Sequence, residues 1–281
     1  MTTLERTTFT LPAGTFHALV GGEGPPLLYL HGFPDHPPTA RAFLEHLART
    51  RRVVAPWLRG YHPSPRVAPY DLETLAGDVL ALIDQLAPRR GSVDLVGHDW
   101  GAVITYAVCQ QAPDRVRRSV TMSVPHALTF VKQLRNPEQA LRSAYMALFQ
   151  LPGAGAIVRA ANLVDRLWGV WSPNLHLDEG TRADLHRTLA ASLPAPLEYY
   201  RAAVRPVGAA RARLRRARLP IEVPLLQLHG ADDGCILPPT ADDAHLFTGP
   251  HELAVLDGLG HFLHIEAPDD ISARVDAWLA M

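Results

Sequence analysis

A spaced series of short apolar runs, alternating with stretches of helical periodicity, constrains this chain most. The runs are PLLYLHG (26–32), RRVVAP (51–56), SVDLVG (92–97), VRRSVTMSV (116–124), EVPLLQLHG (222–230) and HELAVLDG (251–258). Turn residues bound each of them, as expected of strands buried on both faces. TARAFLEHLART (39–50), DLETLAGDVLALIDQL (71–86), GAVITYAVCQQAP (101–113), PPTADDAHLF (238–247) and DISARVDAWLA (270–280) read as helices. Thr39 is predicted to cap the first of these and Asp71 the second. Such βα alternation predicts an α/β fold, a mostly parallel sheet flanked by helices. RTTFTL and TFHALVGG, which alternate around the turn PAG, add an antiparallel hairpin at the front.

Between about 125 and 218 the pattern changes to helices alone: PEQALRSAYMALFQ, GAIVRAANLVDRLWG, DEGTRADLHRTLAAS and APLEYYRAAVRP. Residues 125–218 are therefore read as a helical cap inserted into one core made of 1–124 and 219–281. At 281 residues that core is large enough to stand without staples. Net charge is −1, so no overall field draws nucleic acid or anionic membrane. The densest basic stretch, RARLRRARLP (211–220), lacks interleaved aromatics and reads as a solvated helix face. Cys109 and Cys235 form no C-x-x-C pair, the first residues lack the apolar core of a signal peptide, and no apolar run reaches membrane-spanning length. A cytoplasmic protein acting on a small molecule is expected.

The pentapeptide Gly97-His98-Asp99-Trp100-Gly101 lies between a strand and a helix, the setting of a nucleophile elbow. Small residues at 97 and 101 allow strand and helix to approach, leaving the central side chain exposed on a tight turn. An elbow enzyme needs an acid after a later strand and a histidine after the last one. Asp233, four residues into G-A-D-D from Gly230, fits the acid, with Asp232 its competitor; His261 fits the histidine. His261 and His264 lack a third ligand at supporting spacing, and H-E-x-x-H is absent, so no metal site is expected. The glycine-rich VGGEGPP lacks the GK[ST] ending of a phosphate loop.

Taken in order, HGFP (31–34), RGYHPS (59–64), GHDWG (97–101), GADDGC (230–235) and GLGHF (258–262) make the chain resemble the α/β-hydrolase-fold epoxide hydrolases of the soluble type. YMALFQLPG (145–153) and EYYRA (198–202) are similar to the segments that present that family's paired tyrosines. The resemblance implies Tyr145 and Tyr200 as proton donors, with Tyr199 the alternative to Tyr200. It implies an oxyanion hole from the backbone N–H groups of Phe33 and Trp100, and a cis Phe33-Pro34 bond. His31, Pro34, Trp100 and His126 are expected around the substrate, although His31, Arg59 and Ser64 read as scaffold and His126 more readily as a satisfied structural histidine.

On this reading Asp99 attacks an epoxide carbon, forming an alkyl-enzyme ester. Tyr145 and Tyr200 protonate the leaving oxygen, and His261, oriented by Asp233, activates the water that releases a vicinal diol. Neither a metal nor an organic cofactor is required, and the partners are an epoxide and water. Two rivals remain. An aspartate elbow also serves haloalkane or haloacid dehalogenases, for which Trp100 and either Trp168 or Trp171 could bind halide. A silent ligand receptor on the same fold would be expected to lack one of the three catalytic groups.

Overall fold

A computed structural model of the chain describes residues 3–239 and 241–281. Eight strands form one sheet: β1 Glu5–Leu11, β2 Gly14–Gly21, β3 Pro26–Leu30, β4 Arg52–Pro56, β5 Val93–His98, β6 Val116–Met122, β7 Leu225–Gly230 and β8 His251–Leu256. Their order is β1-β2-β4-β3-β5-β6-β7-β8, with β1–β2 and β2–β4 antiparallel and all later pairs parallel. Every residue of β5 and of β7 is buried, including the polar Asp94, His98, Gln227 and His229, so neither strand shows the apolar–polar alternation of a sheet with one wet face.

Helices α1 (Arg41–Leu47), α2 (Leu72–Leu86) and α3 (Trp100–Gln111) follow β3, β4 and β5. Asp71 caps α2 as expected, its carboxylate accepting from Thr74 N–H. Thr39 does not cap α1. It lies in a 3-10 turn, Pro37–Ala40, and its hydroxyl donates to Asp35 and to the His36 carbonyl. The side chain is used by a buried carboxyl group instead of by helix amides.

Between β6 and β7 the described chain is helical, with α4 Ala127–Gln133, α5 Pro137–Arg142, α6 Tyr145–Phe149, α7 Ala154–Ala160, α8 Leu163–Trp171, α9 Glu179–Ser192, α10 Leu197–Val204 and α11 Ala210–Ala217. The predicted helices at 137–150 and 155–169 are each broken in two. One break, at Asn162, has the left-handed φ of 51° that asparagine tolerates better than most residues. The basic α11 buries none of its residues, consistent with a solvated face. In the predicted helix 238–247, Thr240 lies outside the described residues and Ala241–Leu246 forms a 3-10 helix. After β8 come α12 (Leu263–Glu266) and α13 (Pro268–Ala280). Helices α2 and α3 pack as one pair, α1 and α13 as another. No described helix is long and apolar enough to cross a membrane.

Candidate active site

The chain leaves β3, β5, β7 and β8 at the same end of the parallel sheet, which places their following loops together. Asp99 follows β5 with φ 51° and ψ −119°, a conformation that costs an L-residue energy and recurs at functional turns. Close packing enforces it. A Cβ on Gly97 would lie 2.3 Å from the Gly101 carbonyl oxygen, and one on Gly101 would lie 2.0 Å from that of Leu30. The small residues read from the pentapeptide thus allow α3 to approach β3 and β5.

The Asp99 carboxylate is divided between two neighbours. Phe33 N–H donates to Oδ1 at 2.7 Å, and His261 Nε2 lies 3.6 Å from Oδ2, beyond hydrogen-bond length. On the far side of the ring, His261 Nδ1 pairs with Asp233 Oδ2 at 2.9 Å. Asp233 Oδ1 is held by the amides of Cys235 and Ile236 at 2.7 and 2.9 Å. Asp232 is exposed on the same turn and takes no part. Of the two adjacent carboxylates, geometry therefore selects Asp233.

Burial opposes charge on His261, but the Asp233 and Asp99 carboxylates outweigh it and raise the imidazole to about 10. Burial likewise opposes ionisation of Asp233, yet its partners His261 and His229 hold it below the usual carboxylate range. With His261 raised and Asp233 lowered, that pair is an imidazolium–carboxylate ion pair at neutral pH.

Tyr145, at the start of α6, and Tyr200, in α10, face this array with ring centroids 5.9 Å apart. Burial, and among smaller effects the Asp99 charge, hold both phenols well above their ordinary range, so both remain protonated. The Tyr200 hydroxyl is buried without a well-formed hydrogen bond, whereas Tyr145 Oη lies 3.6 Å from Cys235 Sγ. Tyr199 donates instead to the Arg59 carbonyl, which separates it from the site. Trp100 packs edge-on against Tyr200 at 5.1 Å, and Phe33 and Phe149 complete an aromatic lining.

The remaining expected residues separate by role. The Phe33-Pro34 bond is cis, and the Pro34 carbonyl accepts from Trp168 Nε1 at 2.9 Å. His31 is committed at both nitrogens, to the Gly32 carbonyl and the Leu58 amide. Burial lowers it to about 3, so it is a neutral brace beneath the loop rather than a pocket wall. Arg59 pairs with Asp78 through two bonds of 2.6 and 2.7 Å, and Ser64 accepts from His17 N–H. His126 departs from the expected pocket. It caps α4 by accepting from Leu128 N–H and packs on Tyr106 and Phe247.

Sequence reasoning missed the anchor supplied by the C-terminal end of α8. The Trp171 carbonyl accepts from both Gly234 N–H (3.2 Å) and His261 N–H (2.9 Å), and Ser172 Oγ accepts from Phe262 N–H. Helix ends leave carbonyls without helical partners, and here one of them ties the acid loop to the histidine loop. No motif marks it, because its partners are backbone amides. Ligand atoms within 4.8 Å of one another occur in two sets among the described residues, Asp233–Cys235–His261 and Asp35–His98–His264. In the first, Asp233 and His261 are committed to each other. His264 falls in the second, so His261 and His264 do not form one ligand pair.

The profile of the alpha/beta hydrolase fold matches residues 25–268. The chain belongs to that family. Among curated relatives this hydrolase is 28% identical to epoxide hydrolase 4 of Mus musculus, over 94% of this chain and 76% of that protein. It is 26% identical to epoxide hydrolase 2 of Caenorhabditis elegans, over 92% and 74%. Among solved structures it is similar to epoxide hydrolase VrEH1 from Vigna radiata, with a TM-score of 0.82, 26% identity and coverage of 99% and 98%.

Proposed function

We propose that this hydrolase converts an epoxide to a vicinal diol through a covalent ester on Asp99, with the helical 125–218 segment acting as the cap that presents Tyr145 and Tyr200. The names of relatives matched along more than nine-tenths of this chain support the substrate class. The observation that carries the mechanism is the division of the Asp99 carboxylate: Oδ1 is held by Phe33 N–H while Oδ2 faces His261. Oδ2 is then the attacking atom and Oδ1, on the Phe33 amide, becomes the ester carbonyl oxygen, with Trp100 N–H assigned as the second donor to the oxyanion.

Proton accounting closes over the cycle. Asp99 Oδ2 forms a bond to the epoxide carbon as the carbon–oxygen bond breaks, and the alkoxide takes a proton through Tyr145 or Tyr200. The imidazolium of His261 makes good that proton. Esterification removes the Asp99 charge, one of the two carboxylates that raise His261, so the neutral base is favoured at the step that needs it. His261 then takes a proton from water as the oxygen attacks the ester carbonyl carbon, releasing diol and restoring Asp99 and imidazolium. Serine could not serve, since its attack would leave an ether with no carbonyl for water to enter.

Dehalogenation uses the same nucleophile but needs halide donors. Trp168 Nε1 is taken by the Pro34 carbonyl, which removes one candidate. An assay of styrene oxide, a fatty-acid epoxide and a haloalkane, with diol and halide both quantified, tests the reading. Diol without halide is expected. Halide release without diol would assign a dehalogenase, and saturable epoxide binding without turnover would assign a receptor.

A further inference from the structure

The loop after β7 that carries Asp233 is held by side chains of α4 and α5. Gln139, in α5, is fully buried. Its Nε2 donates to the Cys235 carbonyl at 3.1 Å and to Ser143 Oγ at 2.9 Å, and its Oε1 accepts from Leu237 N–H at 2.7 Å. Both N–H bonds and the oxygen are used, as a buried amide requires. One turn later, Arg142 Nη1 donates to the Asp233 carbonyl. From α4, Gln133 Nε2 donates to the carbonyls of Leu237 and Pro238 at 3.0 and 3.1 Å. From the sheet side the loop receives the His229 ring, whose Nε2 donates to the Ile236 carbonyl at 2.9 Å.

Gln139 meets this loop as a neighbouring strand would, with a donor on carbonyl 235 and an acceptor for amide 237. The peptide planes on both sides of Ile236 are fixed by that pair of bonds. The amides of Cys235 and Ile236 in turn hold Asp233 Oδ1 at 2.7 and 2.9 Å, and Asp233 Oδ2 holds the His261 ring at 2.9 Å. Glutamine carries no charge, so it sets the aim of the carboxylate without adding a field beside the Asp233–His261 ion pair.

We propose that Gln139 is a positioning residue for ester hydrolysis: it fixes the backbone at 235–237, whose amides aim Asp233, and so holds His261 at its angle to the ester on Asp99. The inference rests on the reading of His261 as the base. Ring opening depends on other contacts. Asp99 is seated by Phe33 N–H and by the tight packing at Gly97 and Gly101, and Tyr145 packs on Phe149 and Trp171. Removing the Gln139 amide therefore slows the second half of the cycle more than the first.

Gln139→Met, close to glutamine in shape, removes all three hydrogen bonds. Slowing the second of two steps collects enzyme as ester and lowers kcat and KM together, whereas a loss of folded enzyme lowers kcat and leaves KM unchanged. In Gln139→Met, kcat is expected to fall about tenfold, KM to fall with it, and intact-mass spectrometry during turnover of styrene oxide to show a substrate-sized adduct. A fall in kcat at unchanged KM without adduct overturns the proposal, as does an unchanged kcat. Should Gln139→Met not fold, Gln139→Glu, which keeps the acceptor for Leu237 N–H and loses the amide donor to Cys235, takes the same test with the same two refuting outcomes. Adduct in His261→Gln but not in the Gln139 variant overturns this inference and leaves the ester mechanism standing. Adduct in neither removes that mechanism, and the inference with it.

Discussion

At the scale of single residues, position on a shared turn separated groups that composition makes equivalent. Asp232 and Asp233 are adjacent, but only Asp233 receives two amides and the His261 ring. Tyr199 and Tyr200 are adjacent in α10, but one hydroxyl is spent on the Arg59 carbonyl and the other lies close enough to Asp99 to feel its charge. Replacing His261 by Gln should leave alkylation possible and stop ester hydrolysis, so intact-mass spectrometry after incubation with epoxide should reveal a substrate-sized adduct; an unmodified mass with a competent substrate would exclude the ester route. Tyr145→Phe and Tyr200→Phe should each cost activity, and the double replacement about 10²-fold or more in kcat. Near-normal turnover in the double variant would remove both from the mechanism.

Among the elements, the strand–elbow–helix unit of β5 and α3 was legible because close packing imposes composition. Only glycine fits at 97 and 101, and glycine is visible in a sequence. Gly101→Ala drives a methyl group into the Leu30 carbonyl and should destabilise the fold by on the order of 3 kcal/mol. Urea unfolding measures this, and an unchanged midpoint would contradict the packing argument. The helices of 125–218 were less legible. Apolar periodicity runs through the breaks at Ser143–Ala144 and Ala161–Asn162, since each side still needs an apolar face. Where the axis turns is decided by what that face meets.

Across the whole molecule, buried histidines set the response to acid. Burial lowers His31 and His264 to about 3 and His36 and His126 to about 4, from 6.5. Below 6.5 the unfolded chain takes up these four protons while the folded chain resists until the lower values, so each group withdraws about 1.4 kcal/mol of stability per pH unit across that window. Asp35, raised to about 7, has the opposite sign: its contribution is present below the ordinary carboxylate range and is lost as pH rises through 7. His261, raised to about 10, stabilises fully below 6.5, and this is lost as pH rises through 10. Asp35 and Asp94, the two carboxyls that burial raises, do not cancel these four histidines together with His98, which burial also lowers. The melting temperature should therefore fall between pH 6.5 and 4.5, and calorimetry showing a flat profile there would contradict the burial of these rings.

The sequence alone determined the parallel sheet, the order Asp99, Asp233, His261 on successive loops of one sheet end, and the tight aspartate turn. Each rests on local chemistry: short, mostly apolar runs without alternation for doubly buried strands, glycines where backbones touch, and loops that follow strands to one edge. Only the tertiary structure decided that Asp233 and Tyr200 face inward, that His126 caps a helix, and that Asp99 Oδ1 lies on the Phe33 amide. It also brought the Trp171 carbonyl to the His261 amide. Those choices join residues far apart in the chain through backbone groups every residue carries, and so they leave no signature in side-chain identity.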